Sequence, residues 1–298
     1  MTAKPVSLES ETQRLQLAPE LGGSVTAWEW KAGDQWIPLF RPWNGASGDR
    51  YTMACFPLVP WSNRITHGGF EHDGHFYPIH ANRAEEHYPI HGDGWLQQWQ
   101  VTEHANNRLK LSLESHGFDH SPYHYRSTQT FLLLQDGLQI DLTVTHTGQQ
   151  TLPYGLGLHP YFARTARTRL QFKAEGVWLS GGDPIPTEHA TVFPPTWDYN
   201  MPSSLDGPLI DNCYTGWNGK AIIDYPDRNL SLTMVMPDCN GYVLLFRPPR
   251  GDFFCLEPVT HPIDAFHMTG QPGLAHLGHG DSLALRTKFL VAPSGAMR

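Results

Sequence analysis

The sequence predicts an all-β protein, a large antiparallel β-sandwich with few or no helices. Three observations carry that reading. Apolar and polar residues alternate with period two in several separated segments, and turn-forming residue pairs stand between strand-like runs. No segment sustains a capped 3.6-residue apolar stripe of the kind a helix needs.

The alternating segments, in chain order, are "LKLSLES" (109–115), "LQIDLTVTH" (138–146), "LSLTMVM" (230–236) and "SLALRTKFLV" (282–291). Each puts its apolar residues on one face of an extended chain. Asp73-Gly74, Asn106-Asn107 and Asp136-Gly137 are residues that tolerate the positive φ of tight hairpins, and the last pair joins "YRSTQTFLLL" to "LQIDLTV". Neighbouring strands are therefore predicted to run antiparallel. The 28 Gly and 25 Pro are spread along the chain rather than gathered in a linker, and there is no internal repeat. One domain over residues 1–298 follows, since sandwiches of this size form single domains. The stretch 181–208 is rich in Pro, Ser, Thr and Asp and reads as a long surface loop or lid.

Composition narrows the function. Lys and Arg total 21 against 29 Asp and Glu, a net charge of -8, which opposes a phosphate-backbone binder with a broad basic face. The first twenty residues lack a basic-then-apolar leader, and no run is apolar enough to span a bilayer, so a soluble cytoplasmic protein is expected, with neither nucleic acid nor membrane as partner. Cys55, Cys213, Cys239 and Cys255 form no C-x-x-C pair and read as buried thiols. The 17 histidines include the pairs His72/His75 and His261/His267, which match no zinc signature, and no metal is expected.

Four stretches carry candidate chemistry. In "FFCLEPVTHPIDAF" (253–266), Glu257 ends an apolar run. Such a carboxylate is either a base made more basic by its surroundings or a strand-end group facing water or an arginine. In "LPYGLGLHPYF" (152–162), His159 is either a general acid or a satisfied structural ring; Gly155 and Gly157 would let the backbone approach a ligand, beside Tyr161 and Phe162. "CFPLVPWSNRI" (55–65) offers Asn63 and Arg64, the latter a fork of donors for hydroxyl or carboxylate oxygens or a structural ion-pair partner. "YPIHGDGWLQQW" (88–99) sets His91 in a turn context.

Taken in order, "PWSNRI", "IHGDGW", "GLGLHPYF", "IDNCYTGW" and "CLEPVTHPIDAF" resemble the aldose 1-epimerase (galactose mutarotase) family, and "GHGDSLALRTKF" resembles its terminal strand, so the likeness covers most of the chain. The resemblance implies a galactose mutarotase-like sandwich with a sugar cleft and interconversion of α and β anomers without a cofactor. It implies Glu257 as the base on the C1 hydroxyl, His159 as the acid on the ring oxygen, and Arg64, His91, Asp211 and Asn63 as groups that bind the sugar. Trp61, Trp95, Tyr161 and Phe162 lie beside these motifs as possible stacking plates.

One departure bears on the substrate. The family pattern N-H-x-Y-F has Asn before the histidine, whereas here Leu158 precedes it and Pro160 follows. Free aldoses rank first. A hexose 6-phosphate branch would need extra cleft cations, for which Arg41, Arg83, Arg247 and Arg250 are available, and a non-catalytic sugar-binding domain is a further alternative. A glycosidase pairing Glu257 with Asp211 would leave His159 without a role.

Overall fold

The computed structural model describes residues 5–45 and 49–295; the expected single domain also takes in 1–4, 46–48 and 296–298, which lie outside the described residues. Two large antiparallel sheets dominate. The first has nine strands in the order Ser203–Ser204, Arg169–Phe172, Lys220–Tyr225, Leu230–Val235, Ser282–Ala292, Gly137–His146, His124–Leu134, Arg108–His116 and Gln100–His104. All four alternating segments of the sequence fall on strands of this sheet; in three of them one face meets the core and the other is open to solvent, whereas Leu230–Val235 alternates in sequence although Ser231 and Thr233 are buried as well.

The second sheet has eight strands. Its path runs Pro186–Ala190, Gly176–Ser180, Ile210–Thr215, Tyr242–Arg247, Phe253–Val259, Gly157–Leu158 and Pro57–Leu58, with Tyr161–Ala163 also paired to Phe253–Val259. A single apolar core joins the sheets: Leu138, Ile140 and Leu142 of the first share it with Val243, Leu245, Phe254 and Leu256 of the second. Rings interlock across it, with Phe289 of the first sheet 6.1 Å from Phe162 of the second and 5.2 Å from Phe40. Each large side chain fully buried this way contributes roughly 1.5–3 kcal/mol. A four-stranded sheet spanning Val6–Glu9 to Gln35–Pro38 packs on the same core through Trp28. Among the described residues there are only short 3-10 turns and no α-helix, and no helix is long and apolar enough to cross a membrane.

Three sequence expectations change. The predicted hairpins at Asp73-Gly74, Asn106-Asn107 and Asp136-Gly137 all join antiparallel neighbours, but only Asp73 and Gly74 have positive φ. Gly137 serves instead as a close approach, since a Cβ there would lie 1.9 Å from the Phe289 carbonyl oxygen. The stretch 181–208 is not one loop: it contains the strand Pro186–Ala190 and the short strand Ser203–Ser204. Of the four free thiols, Cys55, Cys213 and Cys255 are buried and Cys239 is half-buried.

Candidate active site

Alternation along Phe253–Val259 divides its side chains between two environments. Phe254 and Leu256 enter the core between the sheets, while Cys255 and Val259 join a smaller apolar cluster with Phe56, Ile90, Trp95 and Tyr161 on the sheet's other face. Glu257 belongs to that second set by its period of two. Gly157 pairs with Val259 and Tyr161 with Cys255, so one register carried through the interruption puts His159 opposite Glu257. The side chains meet: His159 Nε2 lies 3.4 Å from Glu257 Oε1.

Packing fixes the imidazole plane. The His159 ring is stacked between Phe56, at 4.6 Å and 25°, and Tyr161, at 4.7 Å and 18°. Burial drives the ring's pKa down to about 3, helped by the charges of Arg41 and Arg83. Burial raises the Glu257 pKa well above the usual carboxylate range, Asp211 adding to the rise and Arg64 opposing it. Both shifts have the same physical origin, since burial disfavours the charged form of each group, and the pair therefore leans toward neutral imidazole and neutral carboxyl. Glu257 Oε2 has no hydrogen-bond partner among the described residues, so an acceptor is left over.

The polar wall is built on the backbone around residues 59–66. Asn63 (φ 54) and His91 (φ 63) are both left-handed, and their backbones clasp each other: the His91 N–H donates to the Asn63 carbonyl at 2.9 Å. In return the Asn63 N–H donates to His91 Nδ1 at 3.0 Å. Since Nδ1 accepts, and burial pulls the His91 pKa well down, the neutral ring carries its proton on Nε2. Arg64 is almost fully buried. Its Nε and Nη2 grip Glu86 at 3.0 and 3.1 Å, while Nη1 reaches Asn63 Oδ1 at 3.3 Å and Asp211 Oδ2 at 3.4 Å. Burial raises the Asp211 pKa, Arg64 pulling the other way.

These groups line one cleft of about 230 Å³, together with Tyr51, Arg83, Glu85, Phe246 and Tyr161. That lies just below the roughly 300–1,000 Å³ of clefts for drug-sized ligands, the scale of a single small ring. All six predicted site residues, Glu257, His159, Arg64, His91, Asp211 and Asn63, are thus brought together.

Several neighbours fall elsewhere. Trp61 is buried against Tyr123 and Phe266, Phe162 packs into the core with Phe40 and Phe254, and Trp95 stacks behind the cleft on Phe56; of the four predicted plates only Tyr161 lines the cleft. Tyr51 and Phe246, which sequence reasoning missed, take their places; Phe246 was signalled only by its strand pairing beside Asp211. Gly155 approaches His261, and Gly157 packs on Leu58 and Val259, so neither opens backbone to a ligand. His261 itself uses both ring nitrogens, accepting from the Ser62 N–H at 3.0 Å and donating to the Pro262 carbonyl at 2.8 Å. Of the four spare arginines only Arg83 reaches the cleft. Arg41 lies between Tyr161 and Phe253, Arg247 is buried among carbonyls of the 196–208 segment, and Arg250 is exposed.

The sequence matches the family described as Aldose 1-epimerase over residues 5–290. The uncharacterized protein YphB of Escherichia coli (strain K12) is 36% identical over 264 residues, covering 85% of this chain and 90% of its own. Among solved structures, a candidate aldose 1-epimerase from Escherichia coli K12 superposes with a TM-score of 0.90 at 32% identity, covering 97% of this chain and 99% of that one. A galactose mutarotase-like protein from Clostridium acetobutylicum gives 0.85 at 17% identity, over 98% and 96% of the two chains, a likeness of fold.

Proposed function

The chain belongs to the aldose 1-epimerase family, and on that premise we propose that it is a cytoplasmic mutarotase interconverting the α and β anomers of a free aldose. The observation that carries the reading is the His159–Glu257 pair, an acid and a base 3.4 Å apart at the floor of a one-ring cleft. A hemiacetal presents a hydroxyl hydrogen at C1 and a lone pair on the ring oxygen. Glu257 as carboxylate removes the C1 hydroxyl proton, while His159 as imidazolium gives its proton to the ring oxygen.

The C1–O5 bond then breaks, leaving an open-chain aldehyde, a protonated Glu257 and a neutral His159. Burial penalises the charged form of each partner, so it favours this stage relative to the same pair in water. Rotation about C1–C2 and reclosure, with both protons returning, give the other anomer. Besides the C1–O5 bond that breaks and re-forms within the sugar, only protons are exchanged, with no oxidant, reductant or group carrier consumed, so the chemistry asks for no cofactor. Arg64, His91, Asp211 and Asn63 hold the sugar's hydroxyls, and Tyr51, Tyr161 and Phe246 supply apolar surface for its C–H face.

A free sugar is favoured over a phosphorylated one by the charges on the lining. Arg64 and Arg83 stand against Glu85, Glu86 and Asp211, and both guanidiniums are paired with carboxylates. Polarimetry of freshly dissolved α-D-glucose and α-D-galactose tests the proposal: the protein speeds their mutarotation. If no member of a panel of aldoses and hexose 6-phosphates is accelerated, the cleft is a non-catalytic sugar-binding site instead.

A further inference from the structure

Beyond binding and turnover, the two carboxylates at the cleft mouth have a use of their own. Glu85 and Glu86 sit side by side on the segment between Asn82 and Ile90, and each engages a different cleft arginine. Glu86 takes Arg64 in a two-pronged pair at 3.0 and 3.1 Å. Glu85 accepts from Arg83 Nε at 3.0 Å, and Asp49 stands 3.9 Å from the same guanidinium. Arg83 also lies flat on Tyr51, its guanidinium carbon 3.6 Å from the ring centre.

An uncapped guanidinium at the wall of a polyol cleft is a site for phosphate or carboxylate, because its planar fork matches those anions. We infer that Glu85 and Glu86 act as a charge filter, Glu86 filling the fork of Arg64 and Glu85 holding the Nε edge of Arg83 with Asp49 beside it, so that the cleft accepts neutral sugars and rejects sugar phosphates and sugar acids. Stability does not account for Glu85. Its side chain is 73% exposed, and an exposed pair of this kind adds little to folding. Its position on the cleft lining does account for it, since a fixed negative charge there repels an incoming anion. Glu86 is more enclosed, at 21%, so its charge is screened less. The inference rests on the cleft being a sugar site but not on its catalysing anything.

Calorimetric titration with glucose and with glucose 6-phosphate tests it. The wild type is expected to bind glucose in preference to its 6-phosphate. The double variant Glu85→Gln/Glu86→Gln is expected to shift that preference toward the phosphate by about tenfold or more, a shift largely abolished near 1 M salt, where screening acts within about 3 Å. Glu85→Gln alone, which leaves Arg64 paired, gives part of the shift. The inference is overturned if wild type binds glucose 6-phosphate as tightly as glucose, if the folded double variant leaves the ratio unmoved, or if neither sugar binds. If the shift appears although no sugar is mutarotated, the filter stands and the catalytic reading falls.

Discussion

His159, in the break between the strands Gly157–Leu158 and Tyr161–Ala163, stands opposite Glu257, Nε2 to Oε1 at 3.4 Å, flanked by the register pairs Gly157 with Val259 and Tyr161 with Cys255. The gap in backbone pairing between those two points is where the two side chains meet. If they are the acid and base of ring opening, each is indispensable and neither replaces the other. Glu257→Gln and His159→Asn keep the approximate shapes and remove the titrating groups. Each is expected to lower kcat by about 10²- to 10⁴-fold in polarimetric assays, with the circular dichroism spectrum retained. Normal turnover in either variant removes that residue from the reaction.

The pH dependence follows from burial. The folded His159 value, about 3, lies below the unfolded value near ~6.5, so the unfolded chain takes the proton first as pH falls. The stability gained by keeping the ring neutral is present above ~6.5 and lost progressively toward about 3. Glu257 behaves oppositely: its folded value is raised, so its contribution is present below ~4.3 and lost as pH rises through the folded value. Thermal melts from pH 7 to pH 3 should therefore show a shallower acid decline in His159→Asn than in the wild type. Parallel curves would mean that the folded ring takes up its proton at the same pH as the unfolded chain and that its pKa is not depressed.

His91 does two separable jobs. Its Nδ1 closes the turn by accepting from Asn63, and its Nε2–H is left for the cleft. Asparagine tolerates the left-handed backbone and can offer an oxygen near the Nδ1 position, but it has no donor at the Nε2 position. His91→Asn is expected to keep the melting temperature within a few degrees and raise KM, whereas His91→Leu lowers both stability and affinity. Equal losses in the two variants would assign His91 to the turn alone.

Arg64 depends on its forked shape. It spans Glu86, Asn63 and Asp211 at once, which a lysine's single ammonium cannot do. Arg64→Lys is expected to cost about 10- to 100-fold in kcat/KM, in line with about 1.5–3 kcal/mol for hydrogen bonds to charged groups. Initial rates across sugar concentrations read this directly, and a loss of less than twofold contradicts it.

What the sequence revealed depended on whether a strand is buried on one face or on two. Residues 109–115 and 138–146 alternate because the outer face of their sheet meets solvent, so their elements could be read by eye. Phe253–Val259 is buried on both faces and Gly157–Leu158 is two residues long, so neither shows a period, and the register that joins Glu257 to His159 is invisible in one dimension. The site residues were legible through ordered motifs, whereas the plates were not. Nearness in sequence does not say which face a ring takes, and Phe162, one residue after Tyr161, turns to the opposite side. Leu158, where the family pattern has asparagine, joins the core from its strand beside Pro57 and does not line the cleft.

Gly155 shows how the apolar stretch around His159 is held. A Cβ at that position would fall 2.0 Å from Cδ2 of His261, whose ring cannot retreat because both nitrogens are bonded, one to the Ser62 N–H next to Asn63 and Arg64. Adding one methyl group therefore forces apart the segments that carry His159, Arg64 and Glu257. Gly155→Ala is expected to cost about 1–3 kcal/mol or more of stability, as overpacked cores do, and to reduce turnover in the protein that still folds. Denaturant melts combined with polarimetry at saturating sugar separate the two losses. Wild-type stability in Gly155→Ala would mean that the backbone relaxes there freely, and that His261 does not brace the arm bearing Arg64.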